Sequence, residues 1–425
     1  MNADHPPFLP RLQASQLRAA LATMRVVVLT GARQTGKTTL AQELGREDGR
    51  VFITLDRPET LELAERDPEA LWEGLERVTI DEVQRSPQLL NLLKIEVDRN
   101  PAKGRFLLTG SANLLLMESV SDSLAGRAGY ISLPPFTLAE RMGVEGGGLF
   151  RQLLDVSNSA AVLRLGTHFP SRDVLAIPRA VFDGGYPEAL QLDSDQARNI
   201  WREGYVATYL ERDLRNLSAI AELPDFLRLL RLAVLRSGQL VNIDGLARDA
   251  GLASSTARRW LNLLEVSCQT VSLPAYATSR SKRLIKSPKL YATDSGLACY
   301  LCGISEAVSL ESSYQLGSLF EAYVLQHLAA FAALLPVKAE ILYWRTTRGE
   351  EVDFVIETPT RLLPIEVKTS RTLGKRDLRG LNAFLEEYPD GAPFGLVLYA
   401  GQELSLIHIS EPTRQPATSR MPSSA

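Results

Sequence analysis

The stretch "RVVVLTGARQTGKTTLAQEL", residues 25–44, constrains the fold more than any other part of the chain. A short apolar strand from Val26 to Thr30 leads into a loop bounded by glycines, and a helix is predicted to begin near Lys37. The loop fits the pattern G-x-x-x-x-G-K-S/T with Gly31, Gly36, Lys37 and Thr38. A loop of this kind surrounds phosphate groups with backbone N–H groups. The sequence therefore predicts a P-loop nucleotide-binding domain.

The cofactors predicted from this loop are ATP and Mg²⁺. The predicted nucleotide ligands are the loop and the start of its helix: Gly31, Ala32, Arg33, Gln34, Thr35, Gly36, Lys37, Thr38 and Thr39. Lys37 would reach the outer phosphates, and the Thr38 hydroxyl would bind Mg²⁺. In "RVTIDEVQRSP", Asp81 follows an apolar strand and would hold Mg²⁺ through water, while Glu82 would polarise the attacking water. The alternative is an acidic strand end exposed to solvent.

A second polar strand end lies in "GRFLLTGSANLLL", residues 104–116. Ser111 and Asn113 there are predicted either to sense the γ-phosphate or to cap the following helix. The apolar strands "RVVVLT", "VFITLD", "RVTID", "RFLLTG" and "GYISLPP" alternate with helical stretches. That alternation predicts a parallel sheet covered by helices, with nucleotide at the carboxyl ends of the strands.

Four stretches together carry a family resemblance: "GARQTGKTTL", "VTIDEVQRSP", "LLTGSANLLL" and "SLAGRAGYISLPPFTLAE". They resemble the predicted AAA-type ATPases of bacteria and archaea that carry a C-terminal domain of unassigned function, over roughly residues 10–403. The resemblance implies that Arg127, after Gly126, acts as an arginine finger on a nucleotide. The alternative is that Arg127 pairs locally with an acid. A finger acting in trans would require a homo-oligomer.

The composition limits the classes of partner. The net charge of −3 is nearly neutral, so any affinity for DNA must come from local patches. The chain has three cysteines, no stretch resembling a signal peptide and no apolar run of about 18 residues that would span a membrane. We expect a cytoplasmic protein with no membrane partner.

The middle of the chain predicts a helix-turn-helix in "QLVNIDGLARDAGLASSTARRWLNLLE", residues 239–265. A helix from Ile243 to Ala250, a turn at Gly251 and a second helix to Glu265 are expected, in a winged-helix-like domain. The second helix presents Arg258 and Arg259. The strands that follow, forming the wing, are expected to carry the basic stretch "SRSKRLIKSPK", and its predicted phosphate contacts are Arg280, Lys282, Arg283, Lys286 and Lys289. A solvated loop or a protein interface is the alternative to DNA binding.

The last third predicts the order α-β-β-β-α-β, with "GEEVDFVIET" and "RLLPIEVKTS" as consecutive strands. Glu366 and Lys368 lie two residues apart and so project from one face. Asp353 and Glu366 would bind Mg²⁺, Lys368 would orient or deprotonate water, and Glu321 on the preceding helix would complete the site. This arrangement is similar to the PD-(D/E)xK, restriction-endonuclease-like superfamily, although no proline precedes Asp353. The alternative is an inactive site that forms ion pairs.

The predicted fold is α/β throughout: a P-loop NTPase of AAA type, a helical and winged-helix region, and a restriction-endonuclease-like domain. The predicted boundaries are 1–142 for the ATPase domain, 143–236 for a variable insertion and helical lid, 237–310 for the winged helix and 311–403 for the nuclease-like domain. Residues 404–425 resemble translated sequencing-adapter read-through and are predicted to be a non-native tail. The predicted function is an Mg²⁺-dependent ATPase coupled to a DNA-binding winged helix and a nuclease-like domain. The alternative is a nucleotide-controlled binding switch whose nuclease-like domain is inert.

Overall fold

The structure, a computed structural model, describes residues 8–110, 124–144, 147–156, 161–162, 164–165, 176–208 and 223–401. Ser111 and Asn113, the predicted phosphate sensors, lie outside the described residues. The predicted tail at 404–425 also lies outside them.

The N-terminal domain is built on a five-stranded parallel sheet. Its strands are short and mostly apolar: β1 Val26–Thr30, β2 Val51–Thr54, β3 Val78–Asp81, β4 Phe106–Thr109 and β5 Ala128–Ser132. Their order across the sheet is β2-β3-β4-β1-β5, and every neighbouring pair is parallel. The parallel α/β sheet predicted from the alternating pattern is confirmed.

Both faces of this sheet are buried, which explains why its central strands are continuously apolar. Val26 and Val28 pack into one core cluster, while Val27 and Leu29 pack into a second cluster on the opposite face. Helices cover the two faces: α1 Gln13–Thr23, α2 Lys37–Asp48, α3 Pro58–Arg66 and α4 Leu89–Arg99. The carboxyl ends of β1, β3 and β4 therefore meet at one edge of the sheet.

Short helices connect the sheet to the rest of the chain: α5 Leu138–Arg141, α6 Gly147–Asp155, α7 Ile177–Asp183, α8 Pro187–Leu190, α9 Asp195–Tyr205 and α10 Leu223–Leu235. The start of α5 is fixed by a capping box in which Thr137 and Glu140 satisfy each other's backbone N–H groups. Glu140 also accepts a hydrogen bond from the buried Arg11 Nε at 2.9 Å. The segment before α1 is thereby joined to the connecting helices.

Two further helices and a small antiparallel sheet follow α10. They comprise β6 Gln239–Leu240, α11 Ile243–Ala250, α12 Ser254–Val266, β7 Thr270–Leu273 and β8 Lys289–Ala292, with the strands in the order β6-β8-β7. The Asn242 side chain caps α11 by accepting from Gly245 N. Gly251 ends α11 with φ +73°, a conformation that favours glycine. The helix predicted from Ile243 to Ala250 is confirmed.

The basic stretch at 279–289 is not the pair of wing strands expected from the sequence. Residues Arg280–Ile285 form helix α13, and only Lys289 begins a strand. Arginine, lysine and leucine favour helix, and this stretch has no β-branched residue before Ile285. The expectation of strands across this basic stretch was wrong.

The C-terminal domain has the predicted α-β-β-β-α-β order. After α14 Ser295–Leu301 and α15 Ala307–Glu311, its elements are α16 Leu316–Ala332, β9 Glu340–Arg345, β10 Glu351–Glu357, β11 Leu362–Lys368, α17 Arg379–Glu387 and β12 Leu396–Tyr399. The sheet order is β12-β11-β10-β9, antiparallel except for the parallel pair β11 and β12.

One hydrophobic core joins the middle of the chain to the C-terminal domain. It contains Trp260 of α12, Tyr291 of β8, Leu325 of α16 and Ile365 of β11. Side chains packed in one core move together, so the small antiparallel sheet and the C-terminal sheet are held in a fixed relation. This fixed relation allows residues of β8 to reach the C-terminal sheet.

Candidate functional site

The loop between β1 and α2 has the backbone that the phosphate-binding pattern requires. Gly31 has φ +140°, and a Cβ atom placed on it would lie 2.4 Å from the carbonyl oxygen of Leu133. Gly36 has φ +91° and precedes the first residue of α2. A residue with a side chain would be strained at either position, so the backbone conformation of the loop requires glycine at both.

Lys37 lies inside this loop. Its Nζ donates hydrogen bonds to Gly31 O at 3.1 Å and Ala32 O at 2.6 Å. Burial lowers the pKa of Lys37 to about 8, and the nearby carboxylates of Glu82 and Asp81 act in the opposite direction. A phosphate group bound beside Nζ would add negative charge and raise the pKa of Lys37 back towards its ordinary value.

Asp81 is the centre of a hydroxyl and carboxylate cluster at the carboxyl ends of β3 and β4. Thr38 Oγ1 lies 3.1 Å from Asp81 Oδ1, and Thr109 Oγ1 donates to the same carboxylate oxygen. Oxygen donors of this type suit Mg²⁺, which is commonly held by one or two protein ligands and several waters. The residues present therefore fit the metal. Thr109 was missed from the sequence, although it ends an apolar strand as Asp81 does.

Glu82 follows Asp81 in a strained conformation, with φ +57°. Gln84 Nε2 donates to its carboxylate. Burial, followed by the charge of Asp81, raises the pKa of Glu82. A carboxylate with a raised pKa beside the Mg²⁺ ligands is suited to accept a proton from water.

A cavity of about 930 Å³ opens in front of the loop. The predicted ligands Arg33, Gln34, Gly36, Lys37, Thr38 and Thr39 line it, together with Glu82. Part of the opposite wall comes from the middle of the chain, through Glu188, Gln191 and Tyr205. Tyr205 was missed because nothing in a local sequence pattern shows that a distant helix closes the site.

The predicted ligands Ala32 and Thr35 have buried side chains. Thr35 Oγ1 donates to Ala32 O at 3.0 Å, and Thr35 O accepts from Arg11 Nη1 at 2.6 Å. Their side chains support the loop from behind, so any contact of these two residues with nucleotide would use the backbone.

Arg127 lies away from the cavity. It precedes β5, whose amino end is at the edge opposite the P-loop, and five residues of strand span roughly 16 Å. Its Nε and Nη2 atoms bond to the two Asp98 oxygens at 2.6 and 2.8 Å. The local ion pair, one of the two sequence alternatives, is therefore present. Within one chain Arg127 does not reach the phosphates, and a role in trans stays a prediction.

Asp353 is positioned by an irregularity in β10. The pairing of β10 with β9 shifts register between Val352 and Val355, which is the signature of a β-bulge. Asp353 Oδ2 accepts a hydrogen bond from Val367 N at 2.9 Å. The bulge thus turns a carboxylate towards β11, beside the strand residue that follows Glu366.

Glu366 and Lys368 contact each other on β11, as their spacing predicts. Lys368 Nζ donates to Glu366 Oε1, whereas Glu366 Oε2 is buried and has no hydrogen-bond partner among the described residues. Burial, and then the charge of Asp353, raise the pKa of Glu366 to about 7. An unpaired buried carboxylate oxygen is costly, and a cation would satisfy it.

Glu321 of α16 joins this group, as expected. Tyr291 OH donates to Glu321 Oε2 at 3.0 Å, and burial followed by the charge of Asp353 raises the pKa of Glu321 to about 8. Lys289 Nζ lies 3.9 Å from Asp353 Oδ1 and forms an ion pair with Glu351. Lys289 and Tyr291 come from β8, outside the C-terminal sheet, and no local pattern in the sequence places them at this site.

We call the group of Glu321, Asp353, Glu366 and Lys368 the acid cluster. In the part of the chain that the structure describes, no three His, Cys, Asp or Glu side chains are placed to hold one metal ion. Two carboxylates with water as the remaining ligands suffice for Mg²⁺. Asp353 and Glu366, with the unpaired Oε2 atom, therefore fit the metal as a two-carboxylate site.

The predicted nucleic-acid residues divide into exposed and buried groups. Arg258 and Arg259 of α12 are exposed, as are the predicted contacts Arg280, Lys282 and Lys286. Arg283 is buried, and its guanidinium binds both carboxylate oxygens of Glu357. Lys289 is buried beside Asp353. The predictions that Arg283 and Lys289 contact phosphate on a wing were wrong, because acids distant in sequence already pair with them.

Three family models match consecutive parts of the chain. Residues 23–142 match an AAA domain, residues 175–308 match a domain of unknown function (DUF8612), and residues 316–412 match a second domain of unknown function (DUF4143). The last match runs past residue 404, where the sequence predicts a non-native tail. No helix in the described ranges has the length and apolar character needed to cross a membrane.

Two curated relatives are similar over most of the chain. They are the uncharacterised proteins Rv2008c of Mycobacterium tuberculosis and Mb2031c of Mycobacterium bovis, each 34% identical over 361 residues, which cover 84% of this chain and 74% of the relative. Similar solved structures include the Walker-type ATPase PABY2304 of Pyrococcus abyssi, with 16% identity, a TM-score of 0.44 and coverage of 68% of this chain and 94% of that one. The Holliday junction branch migration motor RuvB of Thermotoga maritima has 21% identity, a TM-score of 0.27 and coverage of 61% and 85%. These two scores are too low to support an inference.

The family assignment rests on the sequence relatives and on the domain match, and the nucleotide site described above agrees with it. The chain belongs to the same family as these uncharacterised mycobacterial proteins, and its N-terminal domain is an AAA-type P-loop ATPase domain.

Proposed function

We propose that this protein couples Mg²⁺-dependent ATP hydrolysis to metal-dependent cleavage of a phosphodiester bond in nucleic acid. The observation that carries the proposal is the acid cluster, in which Glu321, Asp353 and Glu366 approach one another from three elements beside Lys368. Buried carboxylates that repel one another destabilise a fold, and titratable groups perturbed in this way cluster at functional sites.

In the ATPase domain, the loop N–H groups and Lys37 bind the phosphates. Thr38 and Asp81 hold Mg²⁺, Thr109 orients Asp81, and Glu82 accepts a proton from the attacking water. In the acid cluster, Asp353 and Glu366 are the metal ligands and Lys368 orients the attacking water. A divalent ion would neutralise phosphate charge at both sites and, at the acid cluster, would also lower the pKa of water.

A nucleic-acid contact is part of the proposal. The three helices α10, α11 and α12 with the sheet β6-β8-β7 have the order of a winged helix, which supports this fold for the region. Arg258 and Arg259 lie exposed on α12, the helix that would enter the major groove. A protein interface on this surface is the alternative.

We also propose that Arg127 acts on the nucleotide of a neighbouring subunit in a homo-oligomer. Its guanidinium is at the edge of the sheet opposite the P-loop of its own chain, in an exposed pair with Asp98. The test mixes Lys37→Ala and Arg127→Ala proteins. Partial recovery of ATPase activity is expected, because a mixed assembly contains some sites with both residues intact. No recovery by two proteins that assemble normally would rule the finger out.

A second candidate function is a nucleotide-controlled switch with an inert C-terminal domain. The observation that favours it is the ion pairing in and beside the acid cluster, since Lys368 pairs with Glu366 inside it and Lys289 pairs with Glu351 next to it. Paired carboxylates can persist as structure after catalysis is lost. In that case ATP would alter binding to DNA or protein without any bond being cut.

Cleavage of labelled single- and double-stranded DNA with Mg²⁺ or Mn²⁺ separates the two candidates. We expect wild-type protein to cut, Asp353→Asn to lose at least about a hundredfold in rate because a metal ligand becomes neutral, and Lys37→Ala to lose the effect of ATP. Glu386→Gln, an exposed carboxylate on α17, is the matched control and should cut normally. Equal cutting by Asp353→Asn and wild type would contradict the nuclease assignment. Absence of cutting with retained ATP-dependent binding would favour the switch.

A further inference from the structure

A cleft of about 560 Å³ runs between the middle of the chain and the C-terminal sheet, beside the acid cluster. We call it the interdomain cleft. Its walls include Gly238 and Leu240 around β6, Arg248 of α11, and Arg345 and Glu351 from the C-terminal domain. We propose that the interdomain cleft binds one strand of nucleic acid and delivers its backbone to the acid cluster. This inference rests on the proposed function.

The charge of the cleft favours a polyanion. Among the described residues that line it, four carry positive charge and one carries negative charge: Arg236, Arg248, Lys289 and Arg345 against Glu351. Arg236 pairs with Asp249 and Arg345 with Glu351, in both cases with partly exposed side chains. Exposed ion pairs are weak, so these guanidinium groups can exchange a carboxylate for a phosphate.

Two residues that line the cleft lie next to the acid cluster. Gly238, on the cleft wall, has φ +80°, and a Cβ atom placed on it would lie 3.0 Å from Glu321 Oε2. Lys289 lines the cleft and its Nζ lies 3.9 Å from Asp353 Oδ1. Two residues of the cleft wall therefore border the carboxylates. Lys289 is buried and paired with Glu351, so it acts as a positioning residue between the cleft and the site, through Asp353, and not as a phosphate ligand.

The size of the cleft and the burial of the carboxylates decide between a single strand and a duplex. The volume is within the range of about 300–1,000 Å³ that is typical of pockets for one small ligand. Asp353 and Glu366 are each 7% exposed. A duplex is too wide to bring its backbone to such buried groups, whereas an extended strand is narrower and can place a base against the exposed side chain of Leu240.

Binding of fluorescent DNA, measured by anisotropy with EDTA present, tests the cleft without requiring catalysis. The cleft variant is Arg236→Ala/Arg248→Ala/Arg345→Ala. The control variant, Arg46→Ala/Arg66→Ala/Arg99→Ala, removes the same charge from exposed helices of the ATPase domain. Thermal melting and ATPase rate confirm that both variants fold.

We expect the cleft variant to bind a short single strand at least about tenfold more weakly than wild type, and the control to bind normally. The slope of log affinity against log salt concentration should become shallower by about 2, because each of the three lost phosphate contacts contributes about 0.7 on a single strand. Binding of a duplex by the cleft variant should stay near the wild-type value. Wild-type single-strand affinity in the cleft variant, or equal losses for single strand and duplex, would overturn the inference.

Binding by the cleft variant and cutting by Asp353→Asn test the cleft and the nuclease assignment separately. Loss of single-strand binding in the cleft variant, together with normal cutting by Asp353→Asn, would support the cleft as a binding site and overturn the nuclease assignment. Cutting that depends on Asp353, combined with unchanged binding by the cleft variant, would support the nuclease and overturn the cleft.

Discussion

Replacement of Glu321 by glutamine is expected to stabilise the protein at alkaline pH. Tyr291 OH donates to Glu321 Oε2 at 3.0 Å, and the Asp353 carboxylate lies close enough to raise the pKa of Glu321. Glutamine keeps the shape and an acceptor for Tyr291, but it removes the negative charge. Removing the charge of Glu321 therefore removes its repulsion with the Asp353 carboxylate.

The pH dependence of this stabilisation follows from the direction in which the pKa of Glu321 is shifted. Burial and Asp353 raise the pKa of Glu321 from 4.5 to about 8. The folded protein therefore holds this proton more tightly than the unfolded chain does, and the free energy of unfolding falls as pH rises from 4.5 to about 8. The stabilisation by glutamine should consequently be large near the upper end of this range and small near the lower end.

Each unit by which the pKa of Glu321 is raised corresponds to about 1.4 kcal/mol of lost folding free energy when the carboxylate is ionised. This gives an upper bound of about 4 kcal/mol for the cost of ionised Glu321 at about pH 8, and about 1 kcal/mol at about pH 5. Because Asp353 and Glu366 compete for the same protons, we expect about half of the upper bound, ~2 kcal/mol at about pH 8.

Chemical denaturation of wild type and Glu321→Gln at the two pH values measures the effect. Glu386→Gln, on the exposed side of α17, controls for the loss of one carboxylate. Mg²⁺ added at the higher pH should stabilise wild type more than Glu321→Gln, since a cation offsets the repulsion. Equal destabilisation of Glu321→Gln at both pH values would refute the reasoning, because the carboxylate would then support the fold through hydrogen bonding alone.

Three further substitutions test the phosphate loop, the Mg²⁺ site and the domain junction. Gly31→Ala should abolish ATP binding in a calorimetric titration, because its Cβ would lie 2.4 Å from a backbone oxygen; normal affinity would contradict the loop geometry. Thr109→Val should raise the Mg²⁺ concentration needed for half-maximal ATPase activity, since Asp81 loses a hydroxyl donor; an unchanged requirement would exclude this orienting role. His327→Leu should lower the free energy of unfolding by about 1–3 kcal/mol in urea denaturation, because it leaves the Leu138 N–H unpaired; an unchanged free energy would exclude this contribution.

The ATPase site could be predicted from the sequence because its chemistry is local. Gly31 to Thr38 form one continuous segment, a loop and the first residues of α2, and Asp81 lies at the end of a strand whose position follows from the alternating pattern. Parallel strands bring their carboxyl ends together without any further information. Tyr205 could not be predicted in the same way, because its place in the cavity depends on how the middle of the chain folds back over the loop.

The acid cluster could be predicted in part. The spacing of Glu366 and Lys368 places them on one face of β11, and their contact agrees with it. The sequence did not indicate the bulge that turns Asp353, because a register shift of one residue depends on the partner strand. It also gave no sign of Lys289, which is buried against Asp353 from a different sheet.

The prediction of phosphate-binding residues from the basic stretch at 279–289 was wrong in part. The stretch at 279–289 has no acid of its own, which made all five cations look available for phosphate. In the structure Arg283 is bound by Glu357, and Lys289 is paired with Glu351. Ion pairs between residues distant in sequence cannot be seen in a local count, so a basic stretch predicts a binding surface only for side chains that remain exposed.

The nucleotide loop and the acid cluster are joined by a short series of buried contacts. Arg11 donates to Thr35 O in the loop and to Glu140 at the start of α5. Leu138 N, also in α5, donates to His327 Nε2 on α16, the helix that carries Glu321. Because each group is fixed by a hydrogen bond of 2.6 to 2.9 Å, a movement of the loop relative to α16 must break at least one of them. Coupling between ATP and the acid cluster would therefore require these contacts to differ between two states of the protein.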